Sequence, residues 1–497
     1  MKPRPVKSRS VADLDRQYVW HPFTQMRDWL QTEPTVIVSG RGAVVCDANG
    51  REYLDANSSI WTNLHGHAHP RINTAITRQL GRIAHSSALG LANEPAARLA
   101  ERLVCAANEP LAPASSARPT GAEPRLAKVF YSDDGSTAME VALKLAYAHA
   151  IRSGQSRRPR FLSLSGAYHG DTVGAVALGH IDLFHKAYSG LLFPTDQVMA
   201  PYCYRCPHNR ARPERADARD YRKCRNECVD AVEQKFAVQT KRGFPYSALV
   251  VEPLVQGAAG IIPQPAGWLR RVAQIARGHG AQLIADEVMT GFGRTGEAAE
   301  ENAGRPGLFA SRQEGVQPDY LALAKGLTGG YLPMAATLTT ETVFNSFLGD
   351  YAEFKTFFHG HSFTGNQVGA AAALASLDLL AGAPSVRARR ALQRNLRREM
   401  AGLWALPQVG DIRQIGLVAG VELVKDWRTR APFDLSERAG IRVCAAMARR
   451  GVLTRPIGNV VVVMPPYCTT AAQVHRIVGA LAEAIAEVLP SPVGPVQ

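Results

Sequence analysis

Short apolar runs alternate with helical stretches between about residues 127 and 340. Five of these runs have the length and composition of buried strands, at residues 129–131, 160–164, 248–251, 282–285 and 320–324. Short strands separated by helices are typical of a parallel or mostly parallel sheet with helices on both faces. We therefore predict an α/β fold, with this sheet at the centre of a large domain over residues 71–370.

The remainder of the chain has the pattern of a second, smaller lobe. An Ala-, Leu- and Arg-rich helical stretch covers residues 369–406, and strand-like runs follow at residues 412–423 and 460–464. Two further runs, at residues 35–38 and 43–46, predict a short antiparallel unit near the N-terminus. We predict that residues 1–70 join residues 371–497 in a small α/β domain. Surface insertions are predicted at residues 106–123, 199–244 and 297–308.

Composition narrows the class of protein. The chain has 497 residues, which suits two or three packed lobes, and it has no long uncharged apolar stretch that would predict a membrane span. Its net charge of +14 comes from scattered arginines and not from the clustered basic and aromatic stripe of a nucleic-acid interface. The basic N-terminus predicts a tail or a transit peptide, because it lacks the apolar core of a secretory signal. We expect a cytoplasmic protein that binds neither nucleic acid nor membrane.

Lys325 and Asp286 are the first candidates for catalysis. Lys325 lies between an apolar run and the pair Gly329–Gly330, and Asp286 ends the run at residues 282–285. Ligands of such sheets bind at the carboxyl ends of the strands, where both residues are predicted to lie. A lysine can form a Schiff base with the aldehyde of pyridoxal 5′-phosphate, and a carboxylate can pair with the pyridinium nitrogen. Together the two residues predict a pyridoxal phosphate site.

A phosphate site is predicted beside them. Gly135 and Ser136 lie between a predicted strand and a predicted helix over residues 139–150, where backbone amides and the helix dipole attract a phosphate. An ordinary helix cap is the alternative interpretation. Tyr168, in the glycine-containing turn at residues 165–171, is a candidate for stacking on the cofactor ring.

Further polar residues fall near the same crevice. Glu252 and Gln256 can contact the ring hydroxyl of the cofactor or hold an arginine, and His169 is interpreted as a structural hydrogen-bond partner. Arg455, at the start of a strand, is a candidate for binding a carboxylate. The polar segment at residues 359–366 can offer hydroxyl and amide donors to an anion across a subunit interface.

Four of the eight cysteines form two close pairs in the insertion at residues 199–244, namely Cys203, Cys206, Cys224 and Cys228. This spacing is close to that of a structural zinc site, although three residues and not two separate the second pair. A solvated loop with free thiols is the alternative interpretation. The pattern gives a hypothesis of structural zinc.

These motifs, in this order, resemble the class III aminotransferases, which are pyridoxal-phosphate enzymes of fold type I. The match extends from residues 20–26 to residues 464–467. It implies a mostly parallel, seven-stranded sheet and a homodimer with composite active sites. Several segments, among them residues 58–67 and 453–458, resemble the branch that aminates 8-amino-7-oxononanoate to 7,8-diaminononanoate in biotin biosynthesis.

The resemblance implies roles for individual residues. Lys325 would carry the cofactor and move a proton, Asp286 would keep the pyridine nitrogen protonated, and Tyr168 would cover the ring. The residues implied for cofactor binding beyond these are Gly135, Ser136, His361 and Ser362, with Ser362 contributed across the subunit interface. The residues implied for substrate binding are Phe23, Ile60, Trp61, Gly360 and Arg455, and Arg455 would hold a carboxylate.

Three positions depart from the commonest form of this branch. Phe23 and Val462 stand where that form has tyrosine, and Ile60 stands where it has tryptophan. These positions shape the pocket for the substrate and the amino donor, so the donor is S-adenosylmethionine or lysine. The alternatives are an ω-aminotransferase for another diamine, β-alanine or a 4-aminobutyrate-like substrate, and an aminomutase or decarboxylase. A nucleic-acid-binding protein that senses the cofactor is the remotest alternative.

Overall fold

The computed structural model describes residues 9–109, 124–296 and 307–489. The strands of these residues are β1 Ile37–Arg41, β2 Val44–Asp47, β3 Glu52–Asp55, β4 Leu126–Ser132, β5 Arg160–Leu164, β6 Asp196–Val198, β7 Tyr246–Val251, β8 Val255–Gln256, β9 Ile262–Pro263, β10 Gln282–Asp286, β11 Tyr320–Leu323, β12 Ala335–Thr340, β13 Val409–Ile415, β14 Val418–Asp426, β15 Ala431–Pro432, β16 Val452–Leu453, β17 Pro456–Ile457 and β18 Val460–Val463.

The right-handed α-helices of the described residues are Val11–Tyr18, Met26–Trp29, Pro70–Leu80, Glu94–Ala107, Gly135–Arg152, Val173–Ala177, Asp182–His185, Ala218–Tyr221, Glu227–Lys241, Trp268–Gly278, Ala310–Gln313, Glu341–Asn345, Gln367–Ala381, Ala383–Ala401, Ala439–Arg449 and Ala471–Val488. No single helix among them is both long and apolar enough to cross a membrane, and one bent pair, Gln367–Ala381 with Ala383–Ala405, meets those criteria only when its two helices are taken together.

The largest sheet has seven strands in the order β4-β12-β11-β10-β7-β5-β6. The five strands from β11 to β6 are all parallel to one another. Strand β12 runs in the opposite direction, antiparallel to both β11 and β4. Every residue of β7 is buried, as expected for a strand covered on both faces. The predicted α/β class and the mostly parallel sheet are therefore confirmed, and the five predicted strands correspond to β4, β5, β7, β10 and β11.

Helices cover both faces of this sheet because its side chains alternate between two cores. In β7, Ala248 and Val250 pack with the helix Gly135–Arg152, whereas Leu249 and Val251 pack with the helices Glu227–Lys241 and Trp268–Gly278 on the other face. The helix Glu227–Lys241 belongs to the predicted insertion at residues 199–244. That segment is consequently more than a surface loop, because the helix buries Val229, Val232 and Phe236 against the sheet.

The smaller sheets join the two ends of the chain. Strands β1, β2 and β3 form the predicted antiparallel unit, and β16 from the C-terminal part adds a parallel strand to β3. The predicted run at residues 412–423 is split into the hairpin β13–β14, since Gly416 turns the chain at a φ of +56°. The predicted helical stretch at residues 369–406 is likewise two helices, because Gly382 is extended and Pro384 starts the second helix.

Two predicted insertions fall largely outside the described residues. Of residues 106–123 the structure describes only the first four, and of residues 297–308 only the last two. The described ends of these segments lie at the helix Glu94–Ala107 and near Leu308, which is buried.

Candidate active site

The carboxyl edge of the large sheet carries a cavity of about 400 Å³. Strands β10 and β11 are parallel and in register, with Asp286 paired to Ala322, so Asp286 and Lys325 emerge at the same edge. Eight of the residues that the sequence places at or near this site line the cavity together, namely Trp61, Gly135, Ser136, Tyr168, His169, Glu252, Asp286 and Lys325. The sequence prediction of a common strand-end crevice agrees with this placement.

Lys325 begins the turn that follows β11. Its backbone is left-handed, with a φ of 43°, and its amine has no hydrogen bond or ion pair to any residue that the structure describes. Burial lowers the pKa of this amine, an effect that the nearby Arg294 reinforces and that the carboxyl groups of Asp286 and Glu252 partly oppose. A larger fraction of the amine is therefore neutral and nucleophilic than in water.

Asp286 is held by two hydrogen bonds. One carboxylate oxygen lies 2.7 Å from Nδ1 of His169, and the other accepts the backbone N–H of Val288 at 3.0 Å. Both Asp286 and His169 are buried, and His169 Nε2 has no partner among the described residues. The prediction that His169 is a structural hydrogen-bond partner agrees with this geometry. The pair fixes a carboxylate at the base of the cavity, where it can meet a protonated ring nitrogen.

Glu252 is a second buried carboxyl group on the cavity wall. Its oxygens accept the backbone N–H groups of Gly257, at 2.7 Å, and of Tyr168, at 3.4 Å. Burial raises the pKa of Glu252 to about 7, although His169 and the two backbone donors oppose the rise. Near neutral pH this side chain therefore carries less than a full negative charge.

Tyr168 projects from the turn after β5 into the cavity. Its hydroxyl donates a hydrogen bond of 2.6 Å to Asp171. Burial, followed by that hydrogen bond and the charge of Asp171, raises the pKa of the Tyr168 hydroxyl. The ring is therefore neutral and fixed in orientation, as a stacking partner for a flat cofactor needs to be.

The start of the helix Gly135–Arg152 forms the opposite wall. Two glycines allow the close packing there, because a Cβ on Gly135 would lie 2.7 Å from Val288 and one on Gly170 would lie 2.2 Å from Ser136 Oγ. Ser136 Oγ accepts the backbone N–H of Asp171 at 3.0 Å. Gly135 and Ser136 of this helix N-terminus border the cavity, as an anion site requires. The alternative interpretation of a helix cap also holds, because Asp134 accepts the backbone N–H of Thr137 at 2.9 Å. The lysine with its lowered pKa, the buried aspartate, the tyrosine and this N-terminus together fit pyridoxal phosphate.

Trp61 forms the wall above Lys325, with the Lys325 Nζ atom 5.0 Å from the centre of its ring. Its indole N–H donates to Asn57 Oδ1 at 2.8 Å. The turn that carries it, Ser58–Trp61, is left-handed at all four residues. Left-handed backbone costs roughly 1–2 kcal/mol per residue that is not glycine. A turn of this kind persists only where its surroundings hold it.

The other predicted residues do not line this cavity, namely Phe23, Ile60, Gln256, Gly360, His361, Ser362 and Arg455. Phe23 packs on Phe184, which in turn packs on Tyr168. Ile60 is exposed beside Trp61, and Ser362 and Gly360 are also exposed. His361 lies 3.4 Å from the carboxylate of Asp133, at the edge of the cavity.

Arg455 is exposed beyond β16, and no hydrogen bond or ion pair joins it to a residue that the structure describes. Val462 is buried in the small sheet with Met289, which lines the cavity. Arg294 is buried and bonds to the carbonyl oxygens of Pro465 and Asn63, so its role is structural. Arg455, the residue predicted to bind a carboxylate, is therefore not in direct contact with the Lys325 cavity.

Three acidic residues of the site were not predicted. Asp133 and Asp134 line the cavity, and Asp171 orients Tyr168. Asp133 and Asp134 directly precede Gly135, and Asp171 ends the turn at residues 165–171. Their closeness in sequence to Ser136 and Tyr168 could have indicated that they belong to the site.

The hypothesis of structural zinc is not supported. Among the described residues no three His, Cys, Asp or Glu side chains are arranged to hold a metal ion. The four cysteines do line one narrow cavity, but Arg222 lines it as well, and its positive charge opposes a bound cation. Burial raises the pKa of the Cys203 thiol to about 12 and that of the Cys228 thiol to about 11, so without a metal both stay protonated.

Comparison with known proteins adds independent evidence. The family model described as aminotransferase class-III matches residues 26–485. The adenosylmethionine-8-amino-7-oxononanoate aminotransferase of Geobacter sulfurreducens is 45% identical over 96% of this chain and 98% of its own. The enzyme of the same name from Nitratidesulfovibrio vulgaris is 46% identical over 96% of this chain and 82% of its own.

Solved structures of aminotransferases are also similar to this chain. The crystal structure of adenosylmethionine-8-amino-7-oxononanoate aminotransferase from Methanocaldococcus jannaschii covers 96% of this chain with a TM-score of 0.83 and 36% identity, and 98% of that chain is covered. The omega transaminase from Pseudomonas jessenii in complex with PMP has a TM-score of 0.83 at 26% identity, and the match covers 98% of this chain and 100% of that one.

Proposed function

The chain belongs to the class III aminotransferases, and we propose that it transfers an amino group to 8-amino-7-oxononanoate, forming 7,8-diaminononanoate in biotin biosynthesis. The observation that carries this proposal is the identity of 45% to a relative of that name along nearly the whole of both chains. The amino donor is S-adenosylmethionine or lysine. S-adenosylmethionine is slightly favoured because the relatives carry it in their names.

Class III aminotransferases use pyridoxal 5′-phosphate, which when bound withdraws electrons from the Cα–H bond of the amine. Lys325 would hold the cofactor between reactions. When a donor amine is bound, the Lys325 amine would act as the base that moves a proton between Cα of the donor and C4′ of the cofactor. The same amine runs the proton in the opposite direction for the keto acid, so one residue serves both halves of a ping-pong cycle.

Other residues of the cavity hold the cofactor. Asp286, fixed by His169 at 2.7 Å, would pair with the ring nitrogen and keep it protonated. Tyr168 would cover one face of the ring. Gly135 and Ser136 would bind the phosphate at their helix N-terminus. Each of these roles depends on a side chain or backbone group that lines the same cavity as Lys325.

The substrate extends away from Lys325 toward the exposed residues. In the oxononanoate several carbon–carbon bonds separate the keto group from the carboxylate, so a carboxylate ligand belongs outside the Lys325 cavity. The exposed guanidinium of Arg455 is suited to that role. Trp61 forms the apolar wall for the chain, and Phe23, Ile60 and Gly360 line the outer channel.

The active site is completed by a second copy of the chain. Ser362 is exposed, whereas His361 is half-buried beside Asp133, and Ser362 of one copy would contact the phosphate bound by the other. The cytoplasm is the proposed compartment, because all eight cysteines are unpaired, as is usual in a reducing environment.

A half-reaction measurement tests the proposal. The visible absorption band of the cofactor-loaded protein is followed while S-adenosylmethionine or lysine is added alone, and then after 8-amino-7-oxononanoate is added. We expect one donor to remove the band and the oxononanoate to restore it. Lys325→Ala is the control and is expected to show neither change, since its loss typically removes several orders of magnitude of rate.

A different result identifies the second candidate, an ω-aminotransferase. This candidate is favoured by the likeness to the Pseudomonas jessenii omega transaminase. A band that other ω-amines remove and that the oxononanoate does not restore would reject the biotin-pathway substrate and keep the aminotransferase. A band that no amine changes would reject both.

A further inference from the structure

The left-handed turn Ser58–Trp61 connects the small sheets to the Lys325 cavity. Its φ angles are 46°, 49°, 65° and 70°, and none of the four residues is glycine. The residues just before the turn are fixed to the C-terminal part of the chain, because Ala56 donates its N–H to Leu453 at 2.9 Å and accepts the N–H of Met464 at 2.8 Å. The chain is therefore fixed where the turn begins, but these two hydrogen bonds of Ala56 do not explain the left-handed backbone of the turn.

Asp55 supplies the missing restraint. One of its carboxylate oxygens accepts the backbone N–H groups of Asn57 and Ser59, both at 3.2 Å. The other oxygen accepts the Ser59 hydroxyl at 3.1 Å and lies 3.0 Å from Nε2 of His67. Asp55 is 6% exposed, so these bonds are largely shielded from water. This carboxylate thus holds Asn57 and Ser59, while the Ser58 hydroxyl donates to the carbonyl oxygen of Met464 at 2.7 Å.

His67 links Asp55 to the other side of the cavity. Its Nδ1 lies 3.2 Å from the amide nitrogen of Asn63. The backbone of Asn63 packs directly against Gly330 in the turn after Lys325, where a Cβ would come within 2.6 Å of it. Asp55 and His67 therefore bridge the turn that carries Trp61 and the turn that follows Lys325.

We propose that Asp55 and His67 are positioning residues of the amino-transfer site, which hold the Trp61 indole against Lys325 by keeping Ser58–Trp61 left-handed. The proposal rests on the proposed role of Lys325 as the residue that carries the cofactor. Trp61 then excludes water from the Lys325 amine and forms the apolar wall for the acceptor. If the carboxylate is lost, the four residues relax to ordinary backbone angles and the indole moves away from Lys325.

Asp55→Asn is the main test, and Asp47→Asn is its matched control. Asp47 is also 6% exposed, also follows a strand of the same sheet, and accepts two backbone N–H groups and the Tyr53 hydroxyl. It holds a turn that is remote from the cavity. A merely structural role for Asp55 predicts that the two variants behave alike.

The first readout needs neither cofactor nor substrate. Acrylamide quenching of tryptophan fluorescence is measured in the cofactor-free protein, and the Trp61 contribution is the difference from the Trp61→Phe background. We expect Asp55→Asn to make Trp61 more accessible to acrylamide, and Asp47→Asn to leave it as in the wild type.

Two further readouts use the cofactor. In steady-state assays we expect Asp55→Asn to raise KM for the keto acceptor by roughly ten-fold or more, with a much smaller change in kcat, because the apolar wall is lost.

The rate at which the cofactor-free protein combines with pyridoxal phosphate reports the neutral fraction of Lys325. Its pH midpoint should rise in Asp55→Asn, because water then stabilises the charged amine.

The possible outcomes distinguish a failure of the positioning role from a failure of the proposed function. If Asp55→Asn is as stable as Asp47→Asn and keeps wild-type quenching, KM and pH midpoint, the positioning role is wrong. If Asp55→Asn does not fold, His67→Gln, which keeps a hydrogen-bond donor, is expected to show the same changes at smaller size, and wild-type behaviour in that variant would likewise reject the role. A wild-type protein that fails to aminate the oxononanoate rejects the proposed function alone, since the quenching test does not depend on it.

Discussion

Glu252 is the residue at which pH acts most directly on the site. Burial raises its pKa from 4.5 to about 7, so the folded protein binds this proton more tightly than the unfolded chain does. A raised carboxyl pKa stabilises the fold at low pH, and this contribution is lost as the pH rises between about 4.5 and 7. The shift corresponds to at most about 3 kcal/mol.

We predict that Glu252→Gln gains stability relative to the wild type as the pH rises from 5 to 8. The variant loses one accepted hydrogen bond at every pH, but it has no buried proton to release. Thermal unfolding of the cofactor-free proteins at several pH values measures the difference. Glu314→Gln is the control, because Glu314 also accepts two backbone N–H groups but is only half-buried.

At the scale of elements, the turn Gly329–Gly330 brings Lys325 to the cavity. Gly330 has a φ of +86°, and a Cβ there would lie 2.6 Å from the backbone of Thr62 and Asn63. We predict that Gly330→Ala destabilises the protein and weakens cofactor binding. The matched variant is Gly154→Ala, with a φ of +74° and no atom within 4 Å of the added Cβ.

Urea unfolding compares the two variants. Gly154→Ala should cost roughly 1–2 kcal/mol for its backbone angle alone. Gly330→Ala should cost about 1–3 kcal/mol more, because it also forces the two turns apart. Equal losses of unfolding free energy, with unchanged affinity for pyridoxal phosphate, would show that the close approach has no role in the site.

The same two turns show how far the sequence could predict the site. Lys325 and Asp286 were predictable because buried runs end at both, and parallel strands bring their carboxyl ends to one edge. The left-handed turn at Ser58–Trp61 was not predictable, since serine, isoleucine and tryptophan have no preference for that backbone. It depends on Asp55 and His67, whose hydrogen bonds form only in the folded chain. The hairpin at Gly416 was missed because its apolar run continues through the turn.

At the scale of the whole molecule, several large apolar side chains remain exposed. Trp20, Leu89, Tyr351, Phe358 and Phe363 are all more than half exposed, and Tyr351 reaches 92%. Where exposed apolar groups form one contiguous patch, they mark a surface that another molecule covers. A second copy of the chain would cover it and bring Ser362 to the phosphate of the first. The proposed homodimer therefore has active sites built from both copies.

Complementation between two inactive variants tests this composite site. Lys325→Ala lacks the cofactor lysine, and Ser362→Asp places a negative charge where the phosphate of the other copy would bind. In a mixed dimer the site that keeps Lys325 receives an intact Ser362 from its partner. We predict that co-expression of equal amounts restores about a quarter of wild-type activity, because half of the dimers are mixed and each has one native site.

A control variant and one contrary result decide whether Ser362 acts across the subunit interface. Ser153→Asp, at an exposed position beyond the helix Gly135–Arg152, should keep its activity alone, which shows that an added surface charge is harmless by itself. If Ser362 acts within its own chain, the copy that keeps Lys325 also keeps the aspartate. The mixture would then show only the average of its two parents, and Ser362 would have to be assigned to its own subunit.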